Sequence, residues 1–162
     1  MIDPVLLIEG FRRNGWIIGA QTEGLTHADS LLQTDYRINC LNWTLGHVLD
    51  GRGVVLELLG CERIVAAADT DRYRSESDPV TGDGPGVLPL EALTDGIERS
   101  GEAIVAALGT LDAAALAEES DAGDAEGVAL GAHLHAQYFH ETYHTGQTEL
   151  LRQVTGVGDK VI

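Results

Sequence analysis

The sequence has few cationic side chains and few cysteines. Lysine and arginine together number 10 against 26 aspartate and glutamate residues, so the formal net charge is −16. Such a chain repels phosphate backbones, which disfavours nucleic acid as a partner, and the acidity is better explained as a source of solubility. The 2 cysteines, Cys40 and Cys61, offer no disulfide framework, and we expect both to be small core residues.

Long apolar runs and the usual catalytic motifs are missing as well. No window of about 18 uncharged apolar residues could span a membrane, and the N-terminus lacks the basic start and the cleavage site of a signal peptide. We therefore expect a soluble cytoplasmic protein. No Ser-His-Asp pattern, phosphate-binding loop or pair of catalytic carboxylates stands out. At 162 residues the chain suits one hydrophobic core, which predicts a single domain over residues 1–162.

Four segments repeat apolar residues at the spacing of long helices, and none predicts a strand convincingly. Asp3-Pro4 is a strong helix start, because Asp caps the first turn and Pro suits the first helical position. Asn39 is the expected N-cap of the second helix, and Pro89 is expected to start the third. The predicted helices cover, in order, about residues 4–24, 39–59, 89–108 and 128–154.

The connection between the second and third predicted helices runs from about residue 61 to residue 88, which is long for a compact domain. A parallel pair of helices would explain it, because the chain must return the full length of a helix, about 30 Å, before the next one begins. The sequence thus predicts an all-α four-helix bundle with one long crossover. Arg72 and Arg74 in this crossover are candidates for contacting a substrate carboxylate or a thiol cofactor, although solvated charge is the preferred interpretation. His27, in the first loop at residues 25–38, is expected to be solvated.

The last predicted helix carries two imidazoles four residues apart, at His140 and His144. Residues at i and i+4 lie on one helix face with Cβ atoms about 6 Å apart, which lets two imidazole nitrogens reach one metal ion at about 2.0–2.1 Å. Glu141 lies between them in the sequence but is turned about 80–100° from the histidine row, so it is not cast as a general base. The histidine row lies near the edge of an apolar face, so it could point into the bundle interior; that face comprises Ala136, Phe139, Tyr143, Leu150 and Val154.

A third histidine lies on the second predicted helix, where His47 interrupts a largely apolar stripe and should point into the core. Taken alone, a core histidine is more often a structural residue that bonds a neighbour. Together with His140 and His144 it offers three neutral nitrogen ligands, and three protein ligands leave a coordination position open, as in catalytic zinc sites. Nickel, iron and manganese also accept imidazole ligands, so the sequence leaves the metal open. Three unrelated structural histidines are the alternative.

Further residues are candidates for the surroundings of this site. Gln147, one turn beyond the histidine pair, could bind a water or orient a ligand, or make a buried structural hydrogen bond. His133 lies about 10 Å along the helix axis from the first member of the pair, too far to share the ion, and could line the mouth of a cavity. His135 falls on a different face and is expected to be structural. Trp43 and Tyr143 flank the site and are expected to be core aromatics.

Two segments resemble signatures of the DinB-like (DinB/YfiT) superfamily. The stretch Asn39-Cys40-Leu41-Asn42-Trp43-Thr44-Leu45-Gly46-His47 resembles its helix II signature, and His140-Glu141-Thr142-Tyr143-His144-Thr145-Gly146-Gln147 resembles its helix IV signature. The resemblance covers most of the chain, including the crossover. In the superfamily the matching histidines form a three-histidine metal site, so by position it implies His47, His140 and His144 as ligands. It also implies an up-down-down-up bundle that is frequently a homodimer.

Characterised members of the superfamily include S-transferases that use bacillithiol, mycothiol or glutathione, and a mycothiol-dependent maleylpyruvate isomerase. Many others have no assigned activity, and several are known only as stress- or damage-induced. The resemblance implies a metal-dependent enzyme in which a divalent ion, zinc or nickel before manganese or iron, activates a low-molecular-weight thiol for attack on a small electrophile. Two alternatives stay open: a metal-dependent hydrolase that activates water at the same ion, and a non-catalytic, stress-related protein that serves as a metal-binding or dimeric scaffold.

Overall fold

The computed structural model describes residues 2–120 and 127–157, and within these ranges the regular structure is helical. The only β-type pairing there is an isolated bridge between Glu119 and Ala129. Two single 3₁₀ turns, Asp71–Tyr73 and Ala115–Ala117, supplement the α-helices. The α-helices, in chain order, are α1 (Pro4–Thr22), α2 (His27–Ser30), α3 (Leu41–Leu58), α4 (Ala67–Thr70), α5 (Leu90–Leu108) and α6 (Leu130–Thr155).

Polar contacts between the first and last long helices establish how they run. Asn14 of α1 donates to the hydroxyl of Thr142 of α6 at 3.0 Å, and Arg152 of α6 donates to the backbone carbonyl of Gln21 of α1 at 2.7 Å. The two contacts advance together along both helices. Helices α1 and α6 are therefore parallel.

The crossover joins two helices that also run in the same direction. The side chain of Asn42, near the start of α3, donates to the carbonyl of Leu88, just before α5, at 3.0 Å. Arg52, ten residues further along α3, reaches the carbonyl of Ile97 in the middle of α5. Helices α3 and α5 are thus parallel neighbours, which is why the chain needs a long crossover between them.

Helix α3 runs against α6. The ring of His47 packs on that of His144 with 4.8 Å between centroids, whereas a Cβ at Gly51, one turn later, would lie 3.9 Å from Oε1 of Gln137, two turns earlier on α6. Helices α1 and α3 each pack against both α5 and α6. The predicted all-α, up-down-down-up four-helix bundle is confirmed.

A capping side chain is present at the start of α1 but absent at the start of α3. Oδ1 of Asp3 accepts a first-turn backbone N–H at 2.9 Å, and Pro4 is the first residue of α1, as predicted. The N-cap of α3 is Cys40 and not Asn39, and it makes no side-chain capping bond. The Cys40 thiol instead donates to the carbonyl of Val80 in the crossover at 3.3 Å. Packing of the crossover, and not a capping side chain, determines this end of α3.

The loop predicted over residues 25–38 contains a short helix that the sequence analysis missed. Helix α2 begins with a capping box, in which Thr26 and Asp29 each accept the other's backbone N–H. His27, predicted to be solvated, is only partly so, with 31% of its side chain exposed. Its Nδ1 accepts the backbone N–H of Leu90, the first residue of α5, at 3.2 Å. His27 therefore satisfies one of the N–H groups that a helix start leaves open.

The apolar side chains form two clusters along the bundle, with a buried ion pair between them. On α3, Leu49 belongs to the first cluster and Val55 to the second. Arg52 lies between them, and its guanidinium donates to both carboxylate oxygens of Glu141 of α6, at 2.8 and 2.9 Å. The two side chains are only 1% and 5% exposed. The first cluster includes Ile18, Trp43, Tyr73 and Leu93, and the second includes Phe11, Leu56, Ile104 and Leu134.

The apolar face that the sequence indicates on α6 does not face the core. Its members Phe139, Tyr143, Leu150 and Val154 are 65%, 61%, 64% and 40% exposed. The buried residues are Gly131, Leu134, Glu141, Thr145, Thr148, Leu151 and Arg152. Hydrogen bonds make the polar side chains tolerable inside. Glu141 binds Arg52, one terminal nitrogen of Arg152 donates to carbonyls at the end of α1, and the threonine hydroxyls donate to carbonyls of their own helix.

The two cysteines differ in their surroundings. Cys40 is buried in the first cluster, as expected. Cys61 is only half-buried and packs at the edge of the second cluster, so it is not a full core residue. Both thiols are free. Separately, no helix within residues 2–120 and 127–157 is long and apolar enough to cross a membrane.

Candidate metal centre

Three histidine side chains from two helices meet at one point of the bundle. His47 comes from α3, and His140 and His144 lie one turn apart on α6. Nε2 of His140 lies 3.2 Å from Nε2 of His47 and 3.1 Å from Nε2 of His144. One ligand atom from each of the three lies within 4.8 Å of the others. Nitrogens that share one tetrahedral ion at about 2.0–2.1 Å are about 3.3 Å apart, so the two spacings at His140 fit a common ion.

The hydrogen-bond partners of the Nδ1 atoms determine which ring nitrogens can act as ligands. Nδ1 of His47 lies 2.7 Å from the backbone carbonyl of Tyr73, and Nδ1 of His144 lies 2.8 Å from Oε1 of Gln147. Carbonyl and amide oxygens only accept, so each Nδ1 carries the proton and each Nε2 carries a lone pair. These lone pairs converge on Nε2 of His140. A divalent cation at this point would be bound through these lone pairs, and such N–H···O bonds are usual for metal-bound histidines.

Burial keeps His140 and His144 neutral. It lowers the pKa of His144 to about 4; the hydrogen bond to Gln147 opposes this shift, and the neighbouring His47 and His140 add to it. Burial, followed by the proximity of His47, also lowers the pKa of His140, with Glu141 acting in the opposite direction. Neutral imidazole is the form that binds a metal, so both side chains are in their ligating form at neutral pH.

Tyr73, which orients His47, was not identified from the sequence. It lies in a 3₁₀ turn of the crossover and is fully buried. Its hydroxyl donates to Oδ1 of Asn42 at 3.0 Å and accepts the backbone N–H of Leu88 at 2.6 Å. Its ring covers Gly46, where a Cβ would overlap with the ring atoms. A glycine beside His47 is the one sequence signal of this close approach, and it does not reveal which residue approaches.

The two candidate aromatics flank the centre in different ways. Trp43 is buried, as expected, and stacks on His47 with 4.7 Å between centroids and 19° between ring planes. Its Nε1 donates to the hydroxyl of Ser77 at 2.9 Å, which ties the stack to the crossover. Tyr143 is not a core aromatic, contrary to the prediction. It is 61% exposed and presents an edge contact to His144 at 5.3 Å.

The other charged and imidazole candidates on α6 lie outside the three-histidine group. Nδ1 of His133 is buried and has no hydrogen-bond partner among the described residues. His135 is exposed and contacts the ring of Tyr138 at 6.2 Å. Glu141 faces Arg52 in the core, so its carboxylate is engaged away from the centre.

A cleft of about 630 Å³ opens beside the histidines, a size that suits a small molecule. Its lining includes Arg37, Asn39, Trp43, Tyr143, His144 and Gln147. Of these, Arg37 and Asn39 were not recognised as site residues from the sequence. A groove of about 620 Å³ between α1 and α5 has none of the three histidines in its lining, so it is separate from the centre.

The crossover arginines are engaged elsewhere. Arg72 donates to the backbone carbonyls of Asp78 and Pro79, the latter at 2.8 Å, and so holds the crossover in shape. Arg74 forms an exposed ion pair with Asp71 at 2.9 Å. Neither lines the cleft. Their candidate role toward a substrate or thiol therefore has no support in the geometry.

The arrangement fits a divalent metal ion. It offers three imidazole nitrogen donors, two of them oriented by hydrogen bonds at Nδ1, and it borders a cleft. Three protein ligands leave room for an exogenous ligand, whereas structural zinc sites are usually closed by four. An ion held there can lower the pKa of a bound water or thiol and so supply a nucleophile near neutral pH.

Comparison with known proteins identifies the fold. No protein-family model and no curated protein sequence matches the chain. Among solved structures, a conserved protein from Enterococcus faecalis is similar at 15% identity and a TM-score of 0.73, over 98% of this chain and 99% of that one. A DinB-like protein from Bacillus cereus is similar at 16% identity and a TM-score of 0.71, over 96% of this chain and 95% of that one. The chain therefore has a DinB-like fold, while the S-transferase type stays a prediction.

Proposed function

We propose that this protein is a metal-dependent enzyme in which His47, His140 and His144 hold a divalent ion. The proposal depends on one observation, the convergence of three Nε2 atoms with 3.1 and 3.2 Å between neighbours. The reaction proposed is the transfer of a low-molecular-weight thiol to a small electrophile. The ion would supply the thiolate at neutral pH.

The chain's own residues have separate tasks in this proposal. The Tyr73 carbonyl and the Gln147 amide hold the Nδ1 protons, so that Nε2 of His47 and of His144 can bind the ion. Trp43 covers one face of His47 and limits the access of water from that side. The cleft beside His144 is the route by which both reactants reach the centre.

The first test is the metal content of protein purified without an affinity tag or chelator, measured by elemental analysis. We expect about one equivalent per chain in the parent protein and far less in His47→Ala and His144→Ala. The matched control is His135→Ala, which removes an exposed histidine from the same helix outside the group. Absence of metal in the parent protein after incubation with zinc, nickel, manganese or iron would refute the metal centre.

The second test separates thiol transfer from hydrolysis and from a non-catalytic role. Metal-loaded protein is assayed with bacillithiol, mycothiol, glutathione and cysteine against haloalkanes, epoxides and quinones, and in parallel with ester and amide substrates without thiol. Thiol consumption that is lost in His144→Ala supports the proposal. Thiol-independent hydrolysis would support the hydrolase alternative. A metal-bound protein that is inactive in both assays, and whose melting temperature falls strongly on chelation, would indicate a structural ion in a scaffold protein.

A homodimer and a cytoplasmic location are part of the same proposal. The exposed apolar side chains of α6, Phe139, Leu150 and Val154, support self-association because an apolar row is normally covered. Sedimentation of the parent protein and of Leu150→Glu measures this, and we expect the variant to shift toward the monomer. The free thiols of Cys40 and Cys61 are in keeping with a reducing compartment.

A further inference from the structure

The cleft beside His144 differs in charge from the rest of the protein. The chain carries 26 acidic residues against 10 basic ones. None of the nine residues that line the cleft is acidic, and one of them, Arg37, is a cation. A cleft of this kind favours an anion over the surrounding acidic surface, because the local charge and not the net charge governs what binds there.

Arg37 also stands apart from most other arginines, because the described part of the chain does not neutralise it. Five arginines form ion pairs with carboxylates, namely Arg12, Arg52, Arg63, Arg74 and Arg99. Arg72 and Arg152 donate to backbone carbonyls. Across residues 2–120 and 127–157, Arg37 and Arg13 are the two without such a partner, and Arg13 lies on α1 away from the cleft. The guanidinium N–H groups of Arg37 are therefore available to a ligand.

Two aromatic side chains provide apolar surface in the same cleft. Trp43 and Tyr143 both line it, and both contact histidines of the centre. Aromatic surface of this kind packs against an apolar or planar body. The cleft thus combines a cation, aromatic walls and a histidine of the centre within one space that suits a small molecule.

We propose that Arg37 is an anion-binding residue of this cleft, and that the molecule taken there is a small carboxylic acid with an aromatic or aliphatic body. Its carboxylate accepts hydrogen bonds from the guanidinium, which is shaped for bidentate binding of such a group. Its body packs on Trp43 and Tyr143, and its other end lies toward His144. This names a substrate class for the proposed function. The reaction of the carboxylic acid rests on that function, whereas its binding through Arg37 does not.

The experiment compares 4-phenylbutyrate with its neutral amide, 4-phenylbutyramide, by calorimetric titration of the full chain at low ionic strength. Each probe is titrated with and without one equivalent of zinc, because a carboxylate can also bind the ion directly. The variants are Arg37→Gln and the matched control Arg13→Gln, which removes the other unpaired arginine. We expect the parent and the control to prefer the acid by about twofold to fivefold without zinc, because Arg37 is exposed. Arg37→Gln should bind acid and amide equally.

The outcomes separate this inference from the metal proposal. Equal binding of acid and amide by the parent, an acid preference that persists in Arg37→Gln, or no binding of either probe at millimolar concentration would each overturn it. An acid preference that appears only with zinc would assign the carboxylate to the ion and also overturn it. If the protein binds no metal but prefers the acid through Arg37, the anion site stands and the metal-dependent function fails.

Discussion

Glu141 provides the sharpest test of how the centre is built, because His140, Glu141 and His144 have the spacing of a metalloprotease helix in which the glutamate is the general base. In this protein both carboxylate oxygens of Glu141 bind Arg52, at 2.8 and 2.9 Å. The pair is buried between the two apolar clusters. We therefore predict that Glu141→Ala affects stability and not metal binding.

The magnitude follows from the burial of the pair. Removing one partner of a buried ion pair leaves an uncompensated charge and costs about 3–5 kcal/mol. Arg52 would retain only its bond to the carbonyl of Ile97. A protein of this size is stabilised by about 5–15 kcal/mol in total, so the variant should lose about a third to a half of a total of about 10 kcal/mol. Replacing both partners, as in Arg52→Met with Glu141→Leu, should recover most of the loss, because the charges are removed together.

The assay is urea unfolding in the presence of a chelator, followed by circular dichroism, with zinc binding measured separately by calorimetry. Glu9→Ala is the control, because Glu9 forms an exposed pair with Arg12 at 2.9 Å and should contribute less than about 1 kcal/mol. A Glu141→Ala variant within about 1 kcal/mol of the parent protein would refute the role assigned to the pair. A folded Glu141 variant that no longer binds zinc would place the carboxylate in the metal centre.

Three further predictions concern the centre and its support. The pKa values of His140 and His144 are lowered in the folded state, so the free energy of unfolding of metal-free protein should fall as the pH drops from about 6.5 toward 4. Thermal melts at several pH values should show a weaker dependence when both histidines are changed to Gln, and an unchanged dependence would contradict this. Gly46→Ala should displace the ring of Tyr73, destabilise the protein by about 1–3 kcal/mol and weaken zinc binding, whereas Gly19→Ala, which meets open space, should do neither. Tyr73→Phe should cost about 1–3 kcal/mol in urea unfolding, because a buried amide partner and a backbone N–H lose their bonds; no measurable loss would refute that role.

Much of the fold followed from local patterns in the sequence. Apolar periodicity identified the four long helices, because an amphipathic helix must repeat its buried positions about every 3.6 residues. The length of the crossover indicated a parallel pair of helices, since the chain has to return before the next helix begins. The sequence also predicted the three-histidine group, from the spacing of His140 and His144 and from the place of His47 in a largely apolar stripe. The structure brings the same three residues together.

The rotation of α6 and the surroundings of the histidines were decided only by tertiary structure. Glu141 is buried because Arg52, 89 residues earlier in the chain, supplies its partner. Tyr73, 26 residues beyond His47, supplies the carbonyl that orients that ring. Periodicity gives the spacing of side chains along one helix, but which polar side chains can be buried depends on partners from other helices and from the crossover. No local pattern contains that information, because it arises only when distant segments pack together.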